Sequence, residues 1–537
     1  MASAHNSSAL ARLRQTYAGL TEPPGAEVRL QLAEQIAQTG ADAGDCLNLA
    51  FERFSAFQFG AAHQALERSI ALQPDLLPAR WLQFQYPRNP VPGSLAEQGE
   101  FAASWERGLS YFERLDLEAP AVKQQLWGCL GACTAFYRHY LGDDVTALQR
   151  RYGAWLARAM QALTGPIALS LPQRPRPRLL FCSTHFYQHT VGRLFWPLIK
   201  QLPREQFDIQ ILHLGPERDS LTAEIGARAP LHGGPRNAPD WMHLIRSLQP
   251  DAIVYLDLGM DPLSLALAAL RLAPVQASLW GHPVTSGLPS IDYALSPDLM
   301  EPADAEAHYS ETLIRLPGLG HGLAAPAEHA DALPAVAAGE PLRLLCAQSV
   351  YKFLPEQDAL FARMLAGAPN SELHCIPHPE PGVRDWLKQR LLQACAAHQV
   401  NDASARIVMH GYGSLAEFKA LASRCQLNLD TLGWSGGMSS IDLLGLGLPT
   451  VTLRGPQMRG RQTAALLDLL GAGDCVAENH DDYLRKALNL AGNPSARAQL
   501  SERMRAQRQR LFDHAALPAF LAEFLSRAIA DSRRRSR

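Results

Sequence analysis

Leu427-Asn-Leu-Asp-Thr-Leu-Gly-Trp-Ser-Gly-Gly-Met-Ser-Ser-Ile-Asp442-Leu-Leu-Gly-Leu-Gly-Leu-Pro-Thr-Val-Thr-Leu453 reads as a strand, a glycine-containing loop, a helix, and a second strand opening after Pro449. Gly436 and Gly437 let backbone approach a ligand closely, and the N–H groups that start the next helix point at an anion placed there. A phosphate suits that position, with Ser435, Met438, Ser439 and Ser440 around it. Asp442, one turn into the helix, is placed to accept hydrogen bonds from a ribose diol. Taken alone, the segment equally suits a plain loop and a solvated aspartate.

A second strand end in the same half of the chain adds weight. Residues 342–347 form an apolar run that ends in Gln348-Ser349-Val-Tyr-Lys352. A hydroxyl and an ammonium at a strand's carboxyl end can neutralise a diphosphate, and the two ends can converge on one cleft. Further strands are expected at 372–376, 406–410, 427–430 and 450–453, with helices between and a helical stretch over about 481–527.

Upstream the same alternation recurs, with strands at 179–182, 207–214, 252–256 and 275–280 and helices at about 191–201, 241–248 and 262–272. Such βαβ alternation builds a parallel sheet covered on both faces. Two Rossmann-like units in tandem place a cleft between them. Alternating prolines over residues 171–178 forbid helix and mark a linker. Before it, apolar residues at helical spacing (Leu47, Ala50, Phe51, Phe54; Ala65, Leu66, Ile70) predict an all-α region. Gly60-Ala61-Ala62 through Ala65, Ile70, Leu72, Pro74 and Ala79 resembles one tetratricopeptide repeat, with no convincing second copy at the repeat period. The expected domains are therefore 1–170, 178–335 and 340–537.

Composition narrows the function classes. Lys plus Arg (50) nearly balances Asp plus Glu (52), so no global field draws the chain to nucleic acid or an acidic membrane. The basic run Arg533-Arg534-Arg535-Ser536-Arg537 reads as a solvated tail. The 9 cysteines are scattered, with no C-x-x-C pair, which fits a reducing cytoplasm. Cys129 and Cys133 share a helical face and read as core residues, and no metal site is expected. With no signal-peptide pattern and no apolar run of about 18 residues, neither that secretion route nor a membrane span is expected.

From about Arg178 to Phe524 the chain resembles the family 41 glycosyltransferases, which comprise O-GlcNAc transferases, SPINDLY-type enzymes and bacterial adhesin N-glucosyltransferases. The resemblance rests on ordered motifs: Gln188-His189-Thr190; Arg271-Leu-Ala-Pro-Val-Gln-Ala-Ser-Leu-Trp-Gly-His-Pro-Val-Thr-Ser-Gly287 followed by Ile291-Asp292-Tyr293; Ser349-Val-Tyr-Lys352; Asp430-Thr431 through Trp434-Ser-Gly-Gly437 to Asp442; and Met458-Arg-Gly-Arg-Gln-Thr463. It implies a GT-B fold, inversion at the anomeric carbon, a UDP-sugar donor such as UDP-glucose or UDP-GlcNAc, no cofactor or required metal, and a protein acceptor. It implies that Lys352 contacts the donor phosphates with Ser349 beside it, that Asp442 binds the ribose, that Ser439 and Ser440 face the phosphates, and that Phe418 stacks on the uracil. His189 matches a histidine near the reacting centre, and stands as candidate general base or as a positioning residue. His282 and Pro283 are expected in the cleft wall, with Thr285, Ser286 and Gly287 lining the sugar side. Arg459 and Arg461 either approach phosphates or lie on a solvated face.

Met438 stands where relatives carry Asn or Thr, Gly437 where the animal enzymes carry a polar residue, and Arg454 where many bacterial relatives have proline. More of the phosphate grip therefore falls on backbone N–H groups, Ser439 and Lys352. Gly259-Met260-Asp261 and Gly281-His282-Pro283 lean towards bacterial members. The expectation is a cytoplasmic protein glycosyltransferase that adds one hexose or N-acetylhexosamine to Ser/Thr or Asn, with the N-terminal helices recognising the acceptor. The alternatives are a small-molecule or lipid-linked acceptor, and a weakly catalytic nucleotide-sensing scaffold.

Overall fold

The computed structural model describes residues 2–19, 26–169, 174–234, 236–326 and 339–535. The first part of the proline-rich linker expected at 171–178 lies outside the described residues, as do residues 327–338 between the two α/β regions. The chain divides into one compact unit over residues 1–138 and another over 139–537. The break falls ahead of the linker expected near residue 170, because helix Thr146–Thr164 belongs to the second unit.

The first unit is helical, as its periodicity predicts. Helices Phe59–Leu72 and Leu77–Gln85 pack on each other, and Ala62 and Ala79 within them have no exposed surface. Burial of both small residues agrees with the paired-helix packing that the single repeat-like signature predicts. Helix Leu95–Glu113 closes an aromatic core in which Trp81 meets Phe84 and Phe112 edge-on, at 5.3 and 4.9 Å between ring centres.

The second unit contains two sheets. The first comprises β1 (Arg178–Ser183), β2 (Asp208–His213), β3 (Leu231–His232), β4 (Ala252–Tyr255), β5 (Val275–Leu279), β6 (Tyr293–Pro297) and β7 (Thr312–Leu316), in the order β3-β2-β1-β4-β5-β6-β7. The second comprises β8 (Leu342–Cys346), β9 (Ser371–Cys375), β10 (Ile407–Met409), β11 (Leu427–Leu429), β12 (Thr450–Leu453) and β13 (Val476–Ala477), in the order β10-β9-β8-β11-β12-β13. Adjacent strands pair in parallel throughout. Runs such as Leu179-Leu180-Phe181 are buried on both faces, as a helix-covered parallel sheet requires. In each sheet the strand order reverses beside the first strand, between β1 and β4 and between β8 and β11. Such switch points leave crevices at the strands' carboxyl ends where ligands bind.

The sequence pattern gives no notice of β3, β6, β7 and β13. Two of these are two residues long, and β6 and β7 follow the irregular 280–292 segment without a crossover helix. The C-terminal helix Leu517–Arg535, expected to close the second domain, packs on the first. Phe524 meets Tyr293 edge-on at 5.1 Å, and Arg533 pairs at 2.7 Å with Asp251, which is only 2% exposed. Arg533 is thus an anchoring cation inside the run expected to be solvated. Among the described residues no helix is long and apolar enough to cross a membrane.

Candidate active site

The carboxyl ends of β8 and β11 bring together residues that the sequence keeps about eighty positions apart. Asp430, immediately after β11, has no exposed surface. Its Oδ1 accepts from the Gly436 N–H at 2.9 Å and from Gln348 Nε2 at 3.3 Å, and its Oδ2 accepts from Thr452 Oγ1 at 2.7 Å. Gln348 in turn is oriented to accept from Lys352: Nζ donates to Gln348 Oε1 and to the Ser435 carbonyl, each at 2.9 Å. An ammonium has three donors. One N–H of Lys352 therefore has no acceptor among the described residues. Burial pushes the Lys352 pKa down to about 8, with the Asp430 carboxylate opposing the fall.

A Cβ at Gly436 would run into Ser440 Oγ and Gln348 Nε2 and force those side chains to shift. Gly437 begins helix Met438–Gly445, and no side chain caps that end. Ser439 is partly exposed, and its Oγ accepts from Gln348 Nε2 at 3.2 Å. The neighbouring hydroxyls depart from expectation. Ser435 Oγ donates to the Arg459 carbonyl at 3.2 Å, and Ser440 Oγ shares a hydrogen bond with Thr463 at 2.8 Å. Both are fully buried and hold the loop, because each falls on the core side of its turn. Met438 is buried beside them.

Asp442 faces the other sheet's domain, with Oδ1 3.9 Å from Arg193 Nη2 on helix Thr190–Ile199. Its pKa is raised by burial, against the pull of Arg193 and Lys419. Phe418 is half-buried and packs on the cluster of Leu345, Ala422, Leu443 and Leu448, so part of its ring serves the core. Ser349 is partly exposed, and the hydroxyl of exposed Tyr412 lies 3.5 Å from its Oγ. Tyr412 was not foreseen, since an aromatic ring in a glycine-flanked loop carries no periodic signal.

At the carboxyl ends of β1 and β4 stands a group of histidines. His189 caps helix Thr190–Ile199, its Nδ1 accepting from the Val191 N–H at 3.3 Å. Burial, aided by His185, holds its pKa down to about 3. His185 stacks on it, 4.1 Å between ring centres, and its Nδ1 makes a short hydrogen bond to Asp257. Ser183 Oγ also donates to that carboxylate, at 2.9 Å. His282 is buried with a pKa held down to about 3, and its Nε2 lies 2.7 Å from His139 Nδ1. Pro283 beside it is partly exposed.

Three residues expected on the sugar side are structural instead. Thr285 Oγ1 donates to buried Glu311 at 2.6 Å, and Ser286 gives the same carboxylate its N–H at 2.8 Å and its hydroxyl. Gly287, at φ +70°, is where helix Thr146–Thr164 crosses: a Cβ would overlap the Gln149 carbonyl. Gly287→Ala is therefore expected to destabilise the fold by about 3 kcal/mol or more, since positive φ and overpacking against backbone both penalise it. Gly382→Ala, where a Cβ meets nothing within 4 Å, is the control. Thermal melts of the two variants test this, and equal melting temperatures would contradict it. Arg459, rather than approaching phosphates, is buried and donates to the Asp143 carbonyl, while Arg461 donates to the Gly455 carbonyl at 3.2 Å and Arg454 pairs with Asp468 at 2.7 Å.

Residues 344–517 match the family model described as Glycosyl transferase family 41. Among curated proteins, the chain is 29% identical over 261 residues to a "Probable UDP-N-acetylglucosamine-peptide N-acetylglucosaminyltransferase SPINDLY" of Eustoma exaltatum subsp. russellianum, covering 48% of this chain and 28% of that protein. A protein of the same description from Arabidopsis thaliana is 26% identical over 377 residues, covering 68% of this chain and 40% of its own length. A UDP-glucose:protein N-beta-glucosyltransferase of Actinobacillus pleuropneumoniae serotype 7 (strain AP76) is 25% identical over 264 residues, covering 46% of this chain and 40% of that one. The matched stretches thus span well under half of these relatives. Among solved structures, a variant of the Thermobaculum terrenum O-GlcNAc transferase superposes with a TM-score of 0.75 at 22% identity, over 99% of both chains. The resemblance carried by the motifs is borne out, and so is the GT-B fold with an N-terminal helical region.

Proposed function

We propose, on the match of residues 344–517 to the family model described as Glycosyl transferase family 41, that the chain is an inverting, metal-independent protein glycosyltransferase. It moves a single hexose or N-acetylhexosamine from a UDP-sugar to Ser/Thr or Asn side chains. The observation that carries this reading is the Lys352 ammonium, held by Gln348 and the Ser435 carbonyl with one N–H unspent beside an uncapped helix start. Departing UDP carries negative charge that must be met in the transition state. A fixed ammonium and the positive end of helix Met438–Gly445 meet it without a metal. Asp442 takes the ribose hydroxyls, and Ser349, Ser439 and the Gly437 backbone complete the diphosphate cradle. The donor is UDP-glucose or UDP-GlcNAc, the two sugars that the relatives' names carry. The helices before residue 139 recognise the acceptor protein, in the cytoplasm.

The test is direct. UDP should bind in calorimetry equally well with and without EDTA. In a soluble protein extract, UDP-glucose or UDP-GlcNAc should add one hexose or N-acetylhexosamine mass to protein. Loss of binding in EDTA would end the metal-independent part. Sugar appearing only on small molecules or lipids would end the protein-acceptor part.

A further inference from the structure

We propose that His185, held by Asp257, is the group that takes the acceptor's proton, and that His189 is not. The inference rests on the glycosyl-transfer reading above and deepens it.

The argument turns on which nitrogen of each ring carries hydrogen. His189 Nδ1 accepts from the Val191 N–H at 3.3 Å, so a neutral His189 carries its proton on Nε2. It offers the cleft an N–H donor and no lone pair, and its low pKa opposes adding a second proton. His185 has the opposite arrangement. Its Nδ1 meets the Asp257 carboxylate, which can only accept, so the proton sits on Nδ1 and the lone pair on Nε2. Among the described residues, that Nε2 has no hydrogen-bond partner. The side chain is 16% exposed while Asp257 behind it is 1% exposed. The His185 N–H donates to Ser183 Oγ at 2.8 Å, and Ser183 Oγ donates to Asp257 at 2.9 Å, which fixes ring and carboxylate as one piece.

Position agrees with the role. β1 and β4 flank the switch point of the first sheet, and His185 and Asp257 follow their carboxyl ends by two residues each. Helix Thr190–Ile199, capped by the stacked His189, reaches across to Asp442 through Arg193. The dyad therefore lies on the wall that faces the donor site.

The step balances. The acceptor hydroxyl or amide forms a bond to the anomeric carbon, the bond from that carbon to the phosphate oxygen breaks, and its electron pair leaves with UDP. The acceptor's proton moves to His185 Nε2, and the imidazolium is stabilised by Asp257 until it returns the proton to solvent. Asp257 is a positioning residue that sets the tautomer.

Three readouts on the purified full chain test this: UDP affinity by calorimetry, sugar transfer from UDP-GlcNAc or UDP-glucose to a soluble protein extract, and formation of glycosyl azide with sodium azide, an anionic nucleophile with no proton to lose. His185→Ala should lower protein labelling by about 100-fold or more, keep UDP affinity within about twofold, and keep glycosyl azide formation. Asp257→Asn, which can donate to Nδ1 and reverse the tautomer, should show the same split. Labelling within about threefold of the unsubstituted enzyme, or an equal loss of labelling and azide reaction, would overturn the assignment. An unsubstituted enzyme that makes neither product removes the glycosyl-transfer reading itself, and this one with it.

Discussion

Lys352→Ala is expected to slow sugar transfer by about 10²- to 10³-fold and to weaken UDP binding, the range seen when one preorganised donor to a developing anion is removed. The variant should keep its far-ultraviolet circular dichroism, since β8 and its neighbours do not depend on the side chain. The pH dependence makes the prediction specific. An ordinary lysine holds its proton well above physiological pH, but burial brings Lys352 to about 8 in the free enzyme. Below that value the ammonium is present and UDP affinity should be flat. Above it, affinity should fall about tenfold per pH unit, with proton uptake on binding, because only the charged form meets the diphosphate. In Lys352→Ala this alkaline limb should be absent. A variant that keeps the limb would show that another group titrates and that Lys352 is not the contact.

The fold was legible because parallel strands buried on both faces write themselves as apolar runs. Residues 342–346 and 450–453 could be placed within a residue or so from that signal and the glycines beside them. The Lys352 and Asp442 positions followed, since each sits at a fixed offset from a strand or helix end. What the sequence hides is direction. Ser435, Ser439 and Ser440 look alike on paper, yet two of the three hydroxyls are turned inward by partners at Arg459 and Thr463. Thr285 and Ser286 are claimed by Glu311, and Gly287 is small because a helix from residue 146 onward crosses it. His185 and His189 lie in one loop ahead of helix Thr190–Ile199, and what distinguishes them is a carboxylate 72 residues from His185 in the chain. Contacts of that kind have no periodicity and no local spacing. Gln348 was the readable omission: a polar side chain just past an apolar strand, next to residues already chosen.

Asp430 supports the second large effect, and it separates folding from donor binding. Replacing it with Ala leaves the Gly436 N–H, one Gln348 N–H and the Thr452 hydroxyl without their buried acceptor. At about 1–3 kcal/mol for each orphaned group, the loss should be about 3 kcal/mol or more, read as a lower melting temperature, and UDP binding should disappear as Gln348 and Lys352 lose their orientation. Asp430→Asn has the same shape, and its carbonyl oxygen can still accept from Gly436 and Gln348 while Thr452 rotates to accept from the new amide. That variant should fold and bind UDP at neutral pH. What it lacks is the charge that opposes the fall in the Lys352 pKa. The alkaline limb of UDP affinity should therefore move below about 8 in Asp430→Asn, because the ammonium, deprived of its anion, gives up its proton sooner. Calorimetry across pH measures the limb directly. A limb left in place would mean that burial, which raises the Asp430 pKa, already keeps this carboxyl neutral in the free enzyme, and that it holds Gln348 by hydrogen bonding alone.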